Sequence, residues 1–432
     1  MKRVPLVRLL SHLLRRFVRN GCLVVTDYAG TEHRYGTGAD GPTVGIRLTD
    51  KKVEHEIFFN PELKTAEAYM DGRLVMVDEA RVFDLLMLFS VNRSGLAAHP
   101  IQKALRSIWR SVRQLQQRNA LGRAAKNIRH HYDIPPQFYR LWLDATMTYS
   151  CAYYPSPDTS LHEAQIEKLR HIAAKLRLEP GMHVVEIGSG WGALATFLAR
   201  NYGVRVTSVT LSPEQITVAR ERAEQEGVSN RVTFLETDYR QLQGTYDRVV
   251  SIAMMEAIGV AWFDTYFTTI KHLTKPGGFA LVHCIGRMSP PGTTAPFIRK
   301  YIFPGGYVPA LSEVFASLER TGTWCADCEI LRLHYYWTIR HWREAYEARR
   351  DDAVAMMGER FCRMWDFYLA SVELGFLHGS NFVFQLLLSD RRDDVPVIRD
   401  YIVDEERRLA KVQGPAPVSW SVERLGSGAL IG

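Results

Sequence analysis

Three glycines at alternate positions, Gly188, Gly190 and Gly192 in EIGSGWG, are the first residues of this chain whose type and spacing imply chemistry. They follow an apolar β-branched run (Val184, Val185, Ile187) and precede an apolar helical pattern from Leu194 to Arg200. Only a residue without Cβ lets a backbone turn this sharply and come close to a ligand. The stretch from His183 to Gln215 therefore reads as strand, glycine turn, helix and second strand, a cradle for a nucleotide cofactor. The bland alternative is a tight strand-to-helix turn that binds nothing. The spacing is G-x-G-x-G, not the G-x-G-x-x-G of dinucleotide proteins, and the second strand ends in Thr210-Leu211-Ser212 instead of an acid. Both features favour S-adenosylmethionine. Its methionyl carboxylate and ribose can rest on the turn, where a pyrophosphate needs a helix N-terminus aimed at it. Asp238, after the third strand RVTFLE, sits where a carboxylate can accept from the adenine amino group.

The elements that must position these residues alternate. A helix from Glu163 to Leu176 precedes the first strand. RVTSVT, a helix from Pro213 to Gln225, RVTFLE, YDRVVSIAMME, a helix near Trp262 to Leu273 and GGFALVHCI then follow. Such alternation predicts an α/β fold, a parallel sheet covered on both faces. Its fourth and fifth strands lie side by side, and ligands bind beyond the carboxyl ends. Glu256 ends the fourth strand and His283 nearly ends the fifth, so the two converge beside the cofactor. Taken alone, each could also be a surface or capping carboxylate and an ordinary strand-end histidine. Upstream, CLVVTDYAG, YGTGADGP, VGIRLTD and HEIFFN read as short strands of a small mixed unit over residues 21 to 77. Downstream, Asp351 to Gly432 reads as largely helical, with WDFYLASVELGFLHGSNFVFQLLL as an aromatic-rich core stripe.

A chain of 432 residues, 46% hydrophobic, can bury a large core in two or three structural units. Six cysteines without a regular framework fit a reducing compartment, and Cys325-x-x-Cys328 lacks the second pair a zinc site needs. No apolar run approaches the roughly 18 to 20 residues of a membrane span. The net charge of +7 is unevenly spread. Residues 1 to 20 hold Lys2, Arg3, Arg8, Arg15, Arg16 and Arg19 and no acid; Leu6, Leu9, Leu10, Leu13, Leu14 and Phe17 share the face opposite Arg8, Arg15 and Arg19. A second acid-free stretch runs from Ile101 to Tyr132. Such helices could meet anionic lipid or nucleic acid, or could be solvated helices packed on a core. No nucleic-acid module accompanies them, so lipid is the better functional reading and no nucleic-acid partner is expected.

Several motifs then coincide: AEAYMDG (66 to 72), HYDIPPQFY (131 to 139), TYSCAYY (148 to 154), EIGSGWG (186 to 192), VTLSPEQ (209 to 215), MMEAIG (254 to 259), LVHCIG (281 to 286) and YIFPGGYVPALSE (301 to 313). Together they resemble the cyclopropane-fatty-acyl-phospholipid synthase family over almost the whole chain. The resemblance implies a class I S-adenosylmethionine methyltransferase fold, Rossmann-like and mostly parallel, with a small N-terminal α+β lipid-binding domain. It divides the chain into a lipid-binding domain (1–97), a basic helical linker (98–130) and a catalytic domain (131–432).

The substrate so implied is the cis double bond of an unsaturated acyl chain on a membrane phospholipid, and the product a cyclopropane ring. Attack on the sulfonium methyl creates a carbocation, which calls for a dry site lined with π faces; the aromatics between His131 and Tyr154 are candidates for it or for plain core. The resemblance also implies bicarbonate as the base, at Cys151, Glu256, His283, Ile285 and Tyr335. Cys151 and Ile285 would offer backbone groups; no base adjoins Cys151 in sequence and no acyl intermediate needs a nucleophile. The cofactor would use Tyr149, Ser150, Gly188, Gly190, Gly192, Thr210, Leu211, Gln215, Asp238 and Tyr239. A homodimer in the cytoplasm, held peripherally on the anionic inner face of the cell membrane, completes the implied picture. The chain departs from the commoner pattern at Pro135-Pro136-Gln137, at Ser189 in place of cysteine, and at Ala257 in place of histidine. Alternative outcomes are a methyl- or methylene-branched lipid from the same first step, and a lipid-binding protein without chemistry.

Overall fold

The computed structural model describes residues 8–93 and 134–412. The basic stretch from Ile101 to Tyr132, the linker 98–130 and the first three residues of HYDIPPQFY lie outside the described residues.

The N-terminal part is a four-stranded sheet with β1 (Cys22–Thr26), β2 (Glu32–Gly36), β3 (Thr43–Leu48) and β4 (Leu74–Val77) in the order β2-β1-β3-β4. HEIFFN is not a strand. It belongs to the helix Lys51–Phe59, whose Asp50 side chain accepts from the amides of Lys52 and Val53, while Asn60 ends it and caps the next helix, Pro61–Met70. The signal overlooked in HEIFFN is thus the Asp50 cap upstream. The amphipathic helix Arg8–Phe17 turns its apolar face inward: Leu10, Leu13, Leu14 and Phe17 are buried with the sheet residues, and Arg15 and Arg16 stay exposed. Leu6 lies outside the described residues.

The larger sheet has seven strands: β5 (His183–Ile187), β6 (Arg205–Thr210), β7 (Val232–Glu236), β8 (Tyr246–Ile252), β9 (Thr274–Arg287), β10 (Trp324–Leu331) and β11 (Asn381–Ser389). The order is β10-β11-β9-β8-β5-β6-β7, parallel from β9 to β7 and antiparallel at the β10-β11-β9 edge. The fourth and fifth strands of the alternation, β8 and β9, do pair, with Ile252 opposite His283. The end of the apolar stripe departs from the sequence expectation. NFVFQLLL is not helical; it is β11, inserted between β9 and β10 and buried along nearly its whole length. A strand buried on both faces shows no period of two, so its run merges by pattern with the preceding helix Glu359–Leu377.

That helix joins the two parts. It packs on the helices Pro61–Met70 and Val82–Val91, and Tyr69 Oη donates to Asp366 at 3.3 Å. Ion pairs from Arg360 to Asp71, Arg81 to Glu347 and Lys300 to Glu67 surround the contact.

Gly192 shows how closely the glycine turn is packed. Its φ is +82°, and a Cβ there would come within 2.8 Å of Ala219 Cβ and 3.2 Å of Phe234. Gly192→Ala is expected to cost about 2–4 kcal/mol of stability, combining left-handed strain with overpacking. Urea unfolding measures it; a loss under about 0.5 kcal/mol, the range of an ordinary surface change, would refute this packing role.

Candidate active site

Two cavities meet at the carboxyl ends of β5, β6 and β8. The smaller, about 150 Å3, lies over the glycine turn and is lined by Tyr149, Ser150, Lys168, Glu186, Gly188, Ser189, Gly190, Trp191, Thr210 and Gln215. Its polar groups are arranged for a ligand. Gly188 has φ +95°, and a Cβ on Gly190 would meet nothing within 4 Å, so the backbone faces open space. Ser189 Oγ is buried and meets no hydrogen-bond partner among the described residues. Thr210 Oγ1 donates to Gln215 Oε1 at 2.8 Å, which orients the amide of Gln215. These features fit the polar arms of S-adenosylmethionine. Ser189 offers a hydroxyl to the same space.

The larger cavity, about 840 Å3, is bounded by Leu10, Leu13, Leu14 and Phe17 of the first helix on one side. Phe297, Phe303, Phe367, Tyr368 and Phe376 bound it on another. Glu256, Ile285 and Tyr335 also line it. Tyr149, Ala253 and Ala257 line both cavities. Ala253 holds φ +51°, a strained value for a residue with a Cβ, and its amide donates to the His283 carbonyl at 2.8 Å.

Glu256 is not at the end of a strand. β8 stops at Ile252, and Glu256 stands in the short 3-10 turn Met255–Ala257. Its Oε1 accepts from the Ile285 amide at 2.7 Å, while Oε2 is buried and meets no hydrogen-bond partner among the described residues. Burial raises its carboxyl to about 7 against the opposing pull of that amide. His283 lies in β9, 2% exposed and behind the cavity walls, with Nδ1 3.1 Å from Gln385 Nε2. Burial and the positive charges of Lys168, Lys175 and His171 hold its pKa well below the ordinary value, so the ring is neutral. Tyr335 stands on the helix His334–Ala348 in edge contact with Trp342. Cys151 is fully buried; its thiol donates to the Ala152 carbonyl at 3.3 Å, and burial pushes its pKa up, so it is no nucleophile.

The remaining sequence candidates divide. Tyr149, Ser150, Gly188, Gly190, Thr210 and Gln215 line the small cavity; Gly192, Leu211, Asp238 and Tyr239 do not. Gly192 packs against the next helix instead. Both carboxylate oxygens of Asp238 are engaged by Arg240, at 2.7 and 2.6 Å, and Tyr239 is buried against Tyr266. Of the aromatics between His131 and Tyr154, Phe138, Tyr139 and Trp142 are core; Tyr149 alone of the described ones lines a cavity. Most of the aromatics that line the apolar cavity come instead from 297–376, joined by Phe17, Phe89 and Tyr149. They include Phe367, Tyr368 and Phe376 of the stripe read as core. Lys168 and Glu186 were also overlooked. The signal for Lys168 was a polar stripe, Gln165, Lys168, His171 and Lys175, at helical spacing on one face of Leu161–Lys175.

Comparison with known proteins agrees with this geometry. Residues 119–386 match the family model described as mycolic acid cyclopropane synthetase. The chain is 37% identical to the cyclopropane-fatty-acyl-phospholipid synthase of Escherichia coli over 334 residues, 75% of this chain and 84% of that one. It is equally 37% identical over 339 residues, 74% and 77% of the two chains, to a tuberculostearic acid methyltransferase of Mycobacterium tuberculosis. Among solved structures, a mycolic acid cyclopropane synthase in complex with SAH and CTAB superimposes with a TM-score of 0.59 at 31% identity, covering 61% of this chain and 97% of that one. With a mostly parallel methyltransferase sheet, a cofactor cavity over its glycine turn and an apolar cavity beside it, the chain belongs to the mycolic acid cyclopropane synthetase family, S-adenosylmethionine-dependent fatty-acid methyltransferases.

Proposed function

We propose that this enzyme transfers a methylene group from S-adenosylmethionine to the cis double bond of an unsaturated acyl chain on a membrane phospholipid, closing a cyclopropane ring with bicarbonate as base. The observation that carries the proposal is the shared wall of Tyr149, Ala253 and Ala257 between a polar cavity and an apolar one that contains Glu256 and Tyr335. Bound S-adenosylmethionine supplies an electrophilic sulfonium methyl. An isolated alkene is a poor nucleophile, so the residues of the chain act chiefly by positioning. Phe297, Phe303, Phe367 and Phe376 keep water from the carbocation, while Tyr149, Tyr335 and Tyr368 present π faces to it.

Ring closure requires a proton to leave the added methyl. Bicarbonate would supply the base. The unpartnered Glu256 Oε2 would accept the hydroxyl that the ion keeps, so that the two need not repel. Neutral His283, the Tyr335 hydroxyl and backbone groups of Cys151 and Ile285 are proposed to complete the holding set, with His283 and Cys151 standing outside the cavity wall and the Ile285 amide already fixing Glu256. Tyr149, Ser150, Gly188, Gly190, Gly192, Thr210, Leu211, Gln215, Asp238 and Tyr239 are proposed as the cofactor set, the last two with Gly192 and Leu211 standing outside the cavity wall.

Residues 1–97 are proposed as the lipid-binding domain, 98–130 as linker and 131–432 as catalytic domain. The exposed Arg15, Arg16 and Arg19 support docking to an anionic surface, each basic group near it being worth about 1 kcal/mol. None of the described helices is long and apolar enough to cross a membrane, which fits peripheral attachment. The family resemblance supports a homodimer on the inner face of the cell membrane. A second reading, a methyl- or methylene-branched product, is supported by Ala257 beside Glu256 and by the 37% identity to a tuberculostearic acid methyltransferase.

Purified protein incubated with S-adenosylmethionine, bicarbonate and liposomes of cis-monounsaturated anionic phospholipid is expected to yield fatty acids heavier by one CH2 with upfield cyclopropyl proton signals. The mass gain without those signals would establish the branched product instead, and no gain would reject both. Glu256→Gln is expected to abolish ring closure and also to stabilise the fold. The folded carboxyl titrates at about 7 against 4.5 in the unfolded chain, so the folded state binds the proton more tightly. The burial penalty is therefore absent below the unfolded pKa and complete above the folded one. Thermal unfolding of the variant should show a gain of about 1–3 kcal/mol near pH 8 that fades toward pH 5. A gain independent of pH would contradict it.

A further inference from the structure

The helix Leu161–Lys175 buries a row of polar side chains against the large sheet, and two of them have carboxylate partners there. Lys175 Nζ lies 2.5 Å from Glu329, and His171 bridges Glu329 and Glu406. Lys168 differs. It is 2% exposed, its ammonium donates to Ser150 Oγ at 3.0 Å, and no carboxylate among the described residues comes within 4.0 Å of it. Burial lowers its pKa to about 8, with Asp144, Cys151 and Glu186 pulling it back up from a distance. A buried cation without a contact counter-ion is costly. The space beside it is the small cavity, whose wall it shares with Ser150, Gly188 and Gly190.

The shape of the site says which part of the cofactor reaches it. The methyl-bearing sulfur must face the junction with the apolar cavity, at Tyr149, Ala253 and Ala257. The adenosine arm would then extend along the cavity toward Thr210 and Gln215, which line its wall. The other arm carries the α-carbon only two methylenes from the sulfur, and Ser150, adjoining Tyr149 in the chain, is where Lys168 ends. We infer that the Lys168 ammonium, seated on Ser150 Oγ, is the counter-ion of the cofactor's α-carboxylate. Lys168 is thus a cofactor-binding residue that lies outside the quoted motifs, between TYSCAYY and EIGSGWG. The inference rests on the cofactor and not on the lipid product, so binding tests it whatever the product proves to be.

Two ligands separate this role from a structural one: S-adenosylhomocysteine, which carries the carboxylate, and 5′-methylthioadenosine, which lacks the whole amino-acid arm. By isothermal titration, Lys168→Met is expected to weaken S-adenosylhomocysteine by about 10-fold or more, one ion pair's worth, and 5′-methylthioadenosine by less than about twofold. Equal weakening of both would mean that Lys168 merely holds the Ser150 loop, and no weakening of either would mean that it does nothing; both overturn the inference. Should the variant fail to fold, the wild-type protein decides: decarboxylated S-adenosylhomocysteine must bind about 10-fold or more weakly than the parent, and equal affinity overturns the inference. Absence of any S-adenosylhomocysteine binding by the wild type would overturn the cofactor assignment and this inference together.

Discussion

A charged cofactor and an apolar chain must meet at one point without letting water follow, and the rest of the structure depends on how that point is built. The wall common to both cavities is small: Tyr149, Ala253 and Ala257. Ala253 can occupy it only in a left-handed conformation, φ +51°, a strain of order 1–3 kcal/mol that the surrounding sheet must over-determine. Its amide is tied to the carbonyl of His283, and the Ile285 amide to Glu256, so two hydrogen bonds join the turn carrying Glu256 to the strand carrying Ile285. Tyr149 is held from the opposite side, its hydroxyl 2.7 Å from that of Tyr368. A junction pinned from two elements in this way fits a reaction whose main demand is alignment.

Beneath the junction lies a polar layer unusual for a protein core. Lys168, Lys175, His171, Glu186, His283 and Gln385 are all buried between the helix Leu161–Lys175 and the sheet. Buried charges seldom add stability over an apolar core of the same shape. Here they set protonation states instead. Burial, reinforced by the neighbouring positive charges, keeps His283 neutral, while Glu186, pushed up to about 8 by burial, is steadied by the Ser208 hydroxyl at 2.5 Å. Glu256 stands apart from this layer, beside Cys284 and on the wall of the large cavity, and desolvation dominates its titration too.

The parts legible in the sequence were those with strong local signals. The glycine turn, the strand-helix alternation and the helix Pro213–Gln225 follow from period and punctuation, and the pairing of β8 with β9 follows from the topology of such sheets. Two kinds of feature escaped. One is segments whose identity depends on what covers them: β11 has no period because both faces are buried, and HEIFFN became helical through a cap five residues upstream of it. The other is the pairing of polar side chains, near or far in sequence. Nothing near Asp238 in sequence competes for its carboxylate except Arg240 two residues on, an ordinary surface arginine by pattern, yet it takes both oxygens. The polar stripe of Leu161–Lys175 was visible as spacing, but a stripe of Gln, Lys, His and Lys reads as the solvated face until the sheet is found against it.

The first helix carries the last consequence. Its basic amphipathic pattern suits a membrane surface, but the apolar half is already used: Leu10, Leu13, Leu14 and Phe17 pack on the small sheet and also wall the 840 Å3 cavity. An apolar face cannot be buried in protein and in lipid at once, so only the arginine side of this helix is free to face an anionic surface. The N-terminal part also belongs to the site itself. It supplies one wall of the cavity whose other walls hold Glu256 and Tyr335, and the ion pairs and helix packing that dock it on Glu359–Leu377 determine the shape of that cavity as directly as the residues at the junction do.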